Sequence, residues 1–333
     1  MTQPLNITAL NITVLGSGAW GTAIAKHASQ QSHSVTLWCR RQEVADAINT
    51  NKENLEYLKG IDLNGIDATS DVNCTSNANI VFVAVPSQYI RDVLSNIKVA
   101  DNTPVVLCCK GVELGSLSLM NTVAKECLNN ANVMVLSGPT FAIEVANNLP
   151  TAVTLAGINT DIVFKAMTSP MFRIYKTQDI IGAEIGGAAK NVMAIACGIA
   201  HGKQLGENAK ASLITRACAE ISRLSIAMGG KPETIMSLCG MGDLVLTCSS
   251  PQSRNMSFGI ALGQNISVEK ILASRNTITE GVQNAKSIYA LAEKMSVEMP
   301  IVKAIYNIIH NNKDVEEAIK SLLQRPQKQD PEN

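Results

Sequence analysis

Hydrophobic positions along this chain follow two regimes. Up to about residue 180 they come as short continuous runs, many β-branched, separated by helical or loop stretches: Ile12-Thr13-Val14-Leu15, Val35-Thr36-Leu37-Trp38, Ile80-Val81-Phe82-Val83-Ala84-Val85, Val105-Val106-Leu107 and Val133-Met134-Val135-Leu136. Runs without polar alternation are buried on both faces, which predicts a parallel sheet covered by helices. From about Gly182 such runs stop. Helices are predicted over 183–199, 208–228, 254–262, 268–273, 282–295, 301–309 and 315–323, punctuated by Gly and Pro. The expected fold is α/β plus all-α: a mostly parallel sheet domain over 1–181, then an all-helical domain over 182–324. The polar, proline-bearing tail 325–333 is expected to fray. No flexible linker separates the halves, so they are expected to close on a shared cleft.

Between the first run and the helical segment Thr22-Ala23-Ile24-Ala25-Lys26 lies Gly16-Ser17-Gly18-Ala19-Trp20-Gly21. Strand, tight turn and helix start in that order are what a dinucleotide site requires, and they make the N-terminal half Rossmann-like. Gly16 permits the turn, Gly18 lets a pyrophosphate reach backbone N–H groups, and Gly21 lets helix and strand pack closely. The positive end of the helix then attracts the phosphates. Ligands of such sheets bind beyond the carboxyl ends of the strands. That makes Arg40-Arg41, Pro86-Ser87, Lys110-Gly111 and Ser137-Gly138-Pro139-Thr140 site candidates. An NAD-selective site carries an acid about 20 residues past the glycines, whereas arginine accommodates a 2′-phosphate. Here Arg40 and Arg41 come first and Glu43 later, so NADPH is expected to bind at least as well as NADH.

Charge narrows the partners. Lys plus Arg (28) balances Asp plus Glu (28), so no global field recruits nucleic acid or an anionic membrane, and any anion must be held by a local site. The N-terminal residues have no signal-peptide pattern, and no run of about 18 apolar residues occurs, so a cytoplasmic chain without a membrane span is expected. Nine cysteines, an odd number without C-x-x-C, read as buried thiols, and the four histidines make no cluster, so no metal is expected.

Lys190-Asn191 lies in Ile185-Gly-Gly-Ala-Ala-Lys-Asn-Val-Met-Ala-Ile-Ala196, apolar nearly all round. A lysine buried there costs several kcal/mol unless paired or neutralised, and burial lowers its pKa towards the range of a general acid or base. The four small residues before it leave room for a ligand or backbone, which argues against a snorkelling surface lysine. Asp243 sits beside Gly240 and Gly242 ahead of an apolar run, where a turn former is the simpler expectation. Ser253-Arg254-Asn255 opens a predicted helix. Hydroxyl, guanidinium, amide and free N–H groups converge there as in a phosphate pocket, or Ser253 is merely an N-cap. His201, flanked by glycine at a helix end, is a poorer acid than Lys190.

Taken in order, these motifs resemble the NAD(P)-dependent glycerol-3-phosphate dehydrogenase family in its bacterial cytosolic form. The likeness rests on Gly16-Ser-Gly-Ala-Trp-Gly-Thr22, Val85-Pro-Ser87, Lys110-Gly111, Ser137-Gly-Pro-Thr-Phe-Ala142, Gly186-Gly-Ala-Ala-Lys-Asn191, Gly242-Asp-Leu-Val-Leu-Thr247, Gln252-Ser-Arg-Asn255 and Glu280-Gly281. The resemblance implies interconversion of dihydroxyacetone phosphate and sn-glycerol 3-phosphate for phospholipid synthesis, with NADPH (NADP) or NADH (NAD) as cofactor, in a homodimer. It implies Lys190 as the proton donor and acceptor, with Lys110 and Asp243 beside it in catalysis. Substrate would be lined by Lys110, Gly138, Thr140, Lys190 and Asn191, together with Asp243, Thr247, Ser253, Arg254 and Asn255. Cofactor would meet Gly16, Gly18, Ala19, Trp20, Gly21, Arg40 and Arg41, and further on Lys110, Ala142, Arg254, Ile278 and Glu280. Two alternatives stay open: a β-hydroxyacid or 6-phosphogluconate-type dehydrogenase, which also carries a Lys-Asn pair, and a non-catalytic NAD(P)H sensor, in which Lys190, Asp243 and Ser253-Arg254-Asn255 have no purpose.

Overall fold

The computed structural model describes residues 8–275 and 279–326. Among the described residues eight strands form one sheet: β1 (Asn11–Leu15), β2 (Ser34–Trp38), β3 (Ile66–Thr69), β4 (Ile80–Val83), β5 (Pro104–Leu107), β6 (Asn132–Ser137), β7 (Thr151–Ala156) and β8 (Phe172–Thr177). Their order is β3-β2-β1-β4-β5-β6-β7-β8, and every neighbouring pair is parallel except β6 and β7. The chain runs outward from β1 to β3, then returns to lay β4 on the other side of β1. That reversal opens a crevice beyond the carboxyl ends of β1 and β4.

Continuous apolar runs marked five of these strands and missed β3, β7 and β8. β3 and β8 lie at the sheet edges and alternate buried and exposed residues at their starts, so neither forms an unbroken run. β7, Thr-Ala-Val-Thr-Leu-Ala, is diluted by threonine and alanine. The sheet is mostly parallel, as expected, and β7, which turns back along β6, is the one antiparallel partner in it.

The last strand ends at Thr177, and the helix Ile180–Gly202 begins almost at once. Asp179 caps it, its carboxylate accepting from Gly182 N at 2.9 Å and from Lys231 N at 2.8 Å. This helix is long and apolar enough to cross a membrane by length and composition, although polar residues interrupt it, and 89% of its apolar window is inside the protein. It is the axis of the helical half. Glu184, on its first turns, accepts from Asn121 N at 2.8 Å and Asn121 Nδ2 at 2.5 Å, tying the helix Met120–Cys127 of the sheet half to it. Burial pushes the Glu184 carboxyl up to about 7.

The helix Arg254–Gly263 crosses this axis at unusually close range. A Cβ on Gly198 would stand 2.1 Å from Met256 O, and one on Gly259 would stand 2.0 Å from Ile195 O. Gly202 and Gly263 repeat the contact one turn further, so two glycines four apart on each helix interlock. Gly259→Ala is expected to destabilise the fold by about 3 kcal/mol, because the obstruction is backbone that cannot swing away, and this outweighs the roughly 1 kcal/mol that alanine gains in a helix. Chemical denaturation checks it, and an unchanged or raised midpoint would contradict the close crossing.

No helix was predicted over 238–249. Leu238–Gly242 makes a single π-helical turn that leads into the helix Asp243–Ser249. Gly240 has the space only of a hydrogen, since a Cβ there would lie 2.1 Å from Ile235 O. π-turns of this kind gather at functional sites.

Candidate functional site

The glycine turn occupies the crevice. Gly16 follows β1 with φ +109°, and a Cβ there would meet Ala84 O, just beyond β4, at 2.8 Å. A Cβ on Gly21 would lie 1.9 Å from Gly16 O, so the turn and the helix Ala19–Gln30 are in contact. Gly18 differs: a Cβ there would meet no atom within 4 Å. Its missing side chain therefore clears space outside the protein's own packing. Gly18 also caps the helix without a side-chain hydrogen bond, which leaves backbone N–H groups facing that space. A pyrophosphate fits these features. Ala19, Trp20 and Ala142 are half-buried around the same crevice, with the helix Ala142–Ala146 packed on Ala19–Gln30.

Arg40 and Arg41 stand exposed beyond β2. Arg41 forms an ion pair with Glu56 and lies 3.8 Å from Glu43, so its charge is partly spoken for, and Arg40 is the arginine that faces solvent beside it. Both bracket the place where the second strand meets the crevice.

β5 is the neighbour of β4, so Lys110, three residues past its end, lies one strand over from the switch point. Its ammonium donates to Asp243 Oδ2 at 2.5 Å, and Gly138 O lies 3.5 Å away. Lys190, in the middle of the long helix, donates to Asp243 Oδ1 and to Thr247 Oγ1 at 2.8 Å. Thr247 in turn donates to Asp243 O at 2.6 Å. Asp243 is fully buried and Lys190 is 6% exposed. The turn-former expectation for Asp243 is thus corrected: it is a buried carboxylate shared by two lysines. Burial and the Lys110 charge pull Lys190 down to about 8 against the opposing pull of Asp243. Burial alone would lower Lys110 too, but Asp243 outweighs it and holds that ammonium above the ordinary lysine value. The cluster carries two cations and one anion, a surplus suited to an anionic ligand.

The small residues before Lys190 make the room expected of them. Gly187 lies against the Lys110 stem, where a Cβ would be 3.3 Å from Lys110 Cγ, and Gly186 lies against Cys239 O at 2.9 Å on the same test. Asn191 faces the other way. Its Nδ2 donates to Glu280 Oε2 at 3.2 Å and its Oδ1 accepts from Asn255 Nδ2 at 2.9 Å. Asn255 Oδ1 accepts from Gly281 N at 2.9 Å. The Lys-Asn and Arg-Asn motifs and Glu280 are therefore joined by one amide chain across three helices. Ser253 Oγ accepts from Met256 N at 3.2 Å, so it caps the helix, while its own proton remains to be donated. Arg254 is exposed at the first position of that helix. Thr140 points back on Gly138 O at 3.4 Å. Ile278 falls outside the described residues. His201 sits exposed in the last turn of the long helix, remote in sequence from the lysine pair's partners.

The interlocked glycines and Asn284, whose amide donates to Lys110 O and Ala188 O, at 3.1 Å each, were not singled out in the sequence. The glycines had a signal, the repeated four-residue spacing on two apolar helices. Asn284 had none.

Two family models match the chain: the NAD-dependent glycerol-3-phosphate dehydrogenase N-terminus over residues 11–163 and the corresponding C-terminus over 179–320. The chain belongs to the NAD-dependent glycerol-3-phosphate dehydrogenase family. Among curated relatives, glycerol-3-phosphate dehydrogenase (NAD(P)+) of Caulobacter vibrioides is 49% identical over 97% of this chain and 99% of that protein. The one from Maricaulis maris is 47% identical over 95% and 97%. The solved glycerol-3-phosphate dehydrogenase of Coxiella burnetii superposes with a TM-score of 0.92 at 36% identity, covering 95% of this chain and 99% of that one. Members of this family are NAD(P)-dependent oxidoreductases, and the sheet half with its glycine turn is what the family's N-terminal model matches.

Proposed function

We propose that this chain reduces dihydroxyacetone phosphate to sn-glycerol 3-phosphate, and catalyses the reverse oxidation, with NADPH or NADH. The observation that carries the reading is the buried Lys190, drawn down to about 8 and held with Lys110 on one carboxylate beside the dinucleotide crevice. Residues 1–181 would bind cofactor, and 182–324 would bind substrate and supply the acid.

The nicotinamide dinucleotide, when bound at Gly16, Gly18 and Gly21, supplies the hydride. Lys190 gives its proton to the carbonyl oxygen as negative charge grows there, and takes it back in the reverse direction. Lys110 adds a second cation against that oxygen. In a cleft closed against water, each such contact is worth about 3 kcal/mol of barrier. Asp243 and Thr247 hold the Lys190 ammonium in one orientation, so little reorganisation remains when charge develops. Arg254 and the helix start at Ser253 would take the substrate phosphate, and that remote binding steadies the carbonyl. Asn191 and Asn255, whose amides are committed to each other, act mainly by fixing these two helices relative to Lys190. The product would be the backbone unit of glycerophospholipids, and we assign the reaction to lipid synthesis on that ground. Nine free thiols fit a reducing, cytoplasmic setting, and we take the working unit to be a homodimer.

Following NADPH oxidation in the presence of dihydroxyacetone phosphate tests the reading directly. Turnover of a hydroxy acid with none of glycerol 3-phosphate would replace it by the hydroxyacid dehydrogenase alternative. For the coenzyme, Arg40→Ala is expected to weaken NADPH about tenfold, one charged contact, while leaving NADH nearly unchanged. Equal losses for both, measured as dissociation constants, would remove Arg40 from the 2′-phosphate.

A further inference from the structure

We propose that Asn284 is a positioning residue of this reductase: its side-chain amide clamps the Lys110 main chain to the helix Ile180–Gly202 and so sets the distance between the two lysines. Asn284 is fully buried on the helix Glu280–Lys294. Its Nδ2 donates to two main-chain carbonyls at once, Lys110 O at 3.1 Å and Ala188 O at 3.1 Å. One acceptor belongs to Lys110 itself, and the other lies two residues before Lys190. A single amide group thus spans the sheet half and the helical half at the point where each presents its lysine.

Three features make this a tie rather than incidental packing. Both N–H groups of the amide are used, whereas its Oδ1 has no partner, so the side chain is present for its donors. A buried amide oxygen left unpaired has a cost, which sequence would avoid with an apolar residue unless the donors mattered. Room for the clamp is made by Gly111, where a Cβ would meet Asn284 Oδ1 at 3.0 Å and Ser87 Oγ at 2.2 Å. The Lys110-Gly111 backbone is therefore gripped between Ser87 and Asn284. Side-chain ion pairing to Asp243 alone would leave that backbone to drift.

The inference rests on Lys190 being the proton donor, and its consequence is specific. The charged groups facing Lys190 are Asp243 and Lys110, with Glu280 acting on Lys110, while the neighbouring Cys248 thiol is held protonated by Cys197 and by burial. If Lys110 recedes, Lys190 keeps Asp243 and loses a like charge. Its proton is then held more tightly, and the alkaline limb of the reduction profile moves to higher pH.

The test compares Asn284→Ala and the isosteric Asn284→Asp with wild type in the purified full chain, measuring kcat, the pH profile of dihydroxyacetone phosphate reduction, NADPH affinity and thermal midpoint. Asn284→Asp preserves volume and removes the NH₂ group that holds the two carbonyls. Both variants are expected to lose at least tenfold in kcat and to shift the alkaline limb upward by half a pH unit or more, with NADPH affinity within twofold of wild type. Ser287→Ala, one turn along the same helix at a buried hydroxyl also lacking a partner, is expected to leave the limb in place. A limb that stays at its wild-type position in both Asn284 variants, whatever happens to kcat or the midpoint, overturns the clamp. A wild-type chain without an alkaline limb overturns instead the reading of Lys190, and the clamp with it.

Discussion

Lys190→Ala is expected to lower kcat for reduction by about 10²- to 10⁴-fold, the range spanned by a lost general acid. NADPH affinity should hardly change, since the ammonium faces Asp243 and Thr247 and the glycine turn lies across the crevice. Asp243 would still be paired with Lys110, so the variant is not left with an unpaired buried carboxylate. The same lysine sets a pH dependence of defined sign. Reduction needs its protonated form, so the rate falls as pH rises through about 8, while oxidation of glycerol 3-phosphate needs the neutral form and rises over the same interval. Stopped-flow or steady-state rates in both directions, with NADPH titrated separately, check all of this. Turnover near wild type would exclude Lys190 as the acid.

Asp243→Ala should have the second largest effect, and it acts on stability as well as rate. It leaves the buried Lys190 ammonium and the partly buried Lys110 ammonium facing each other without the carboxylate they share. Removing one member of a buried ion pair costs about 3–5 kcal/mol, and here one residue neutralises two partners. The chain can limit the loss by giving up a proton, and Lys190 is the one to give it up, being already drawn down by burial and by Lys110. The alkaline limb is therefore expected to move to lower pH, opposite to its shift in the Asn284 variants. A denaturation midpoint and a limb both equal to wild type would mean that the shared carboxylate does not govern either lysine.

The strands β1, β2, β4, β5 and β6 were visible because strands covered on both faces run apolar with little polar alternation, and the long helix because its apolar residues leave no polar stripe. The glycine turn was visible because its elements are contiguous. Lys190 stood out as a charge where no charge should be, and the structure does bury it. The edge strands β3 and β8 and the π-turn before Asp243 escaped, the former because half-exposed strands break the apolar run, the latter because two glycines imitate a loop.

The sequence by itself thus determined the two-part architecture, the place of the dinucleotide turn and the oddity of one buried lysine, since each is written in neighbouring residues or in a short period. Only the tertiary structure decided what neutralises that lysine. Asp243 lies 53 residues from Lys190 and 133 from Lys110, and Asn284 lies 174 from Lys110 and 96 from Ala188, whose carbonyls it holds. Partners that far apart share no periodicity. Their pairing follows from which elements pack together, here with Gly186 and Gly187 of the long helix set against Cys239 O and the Lys110 stem.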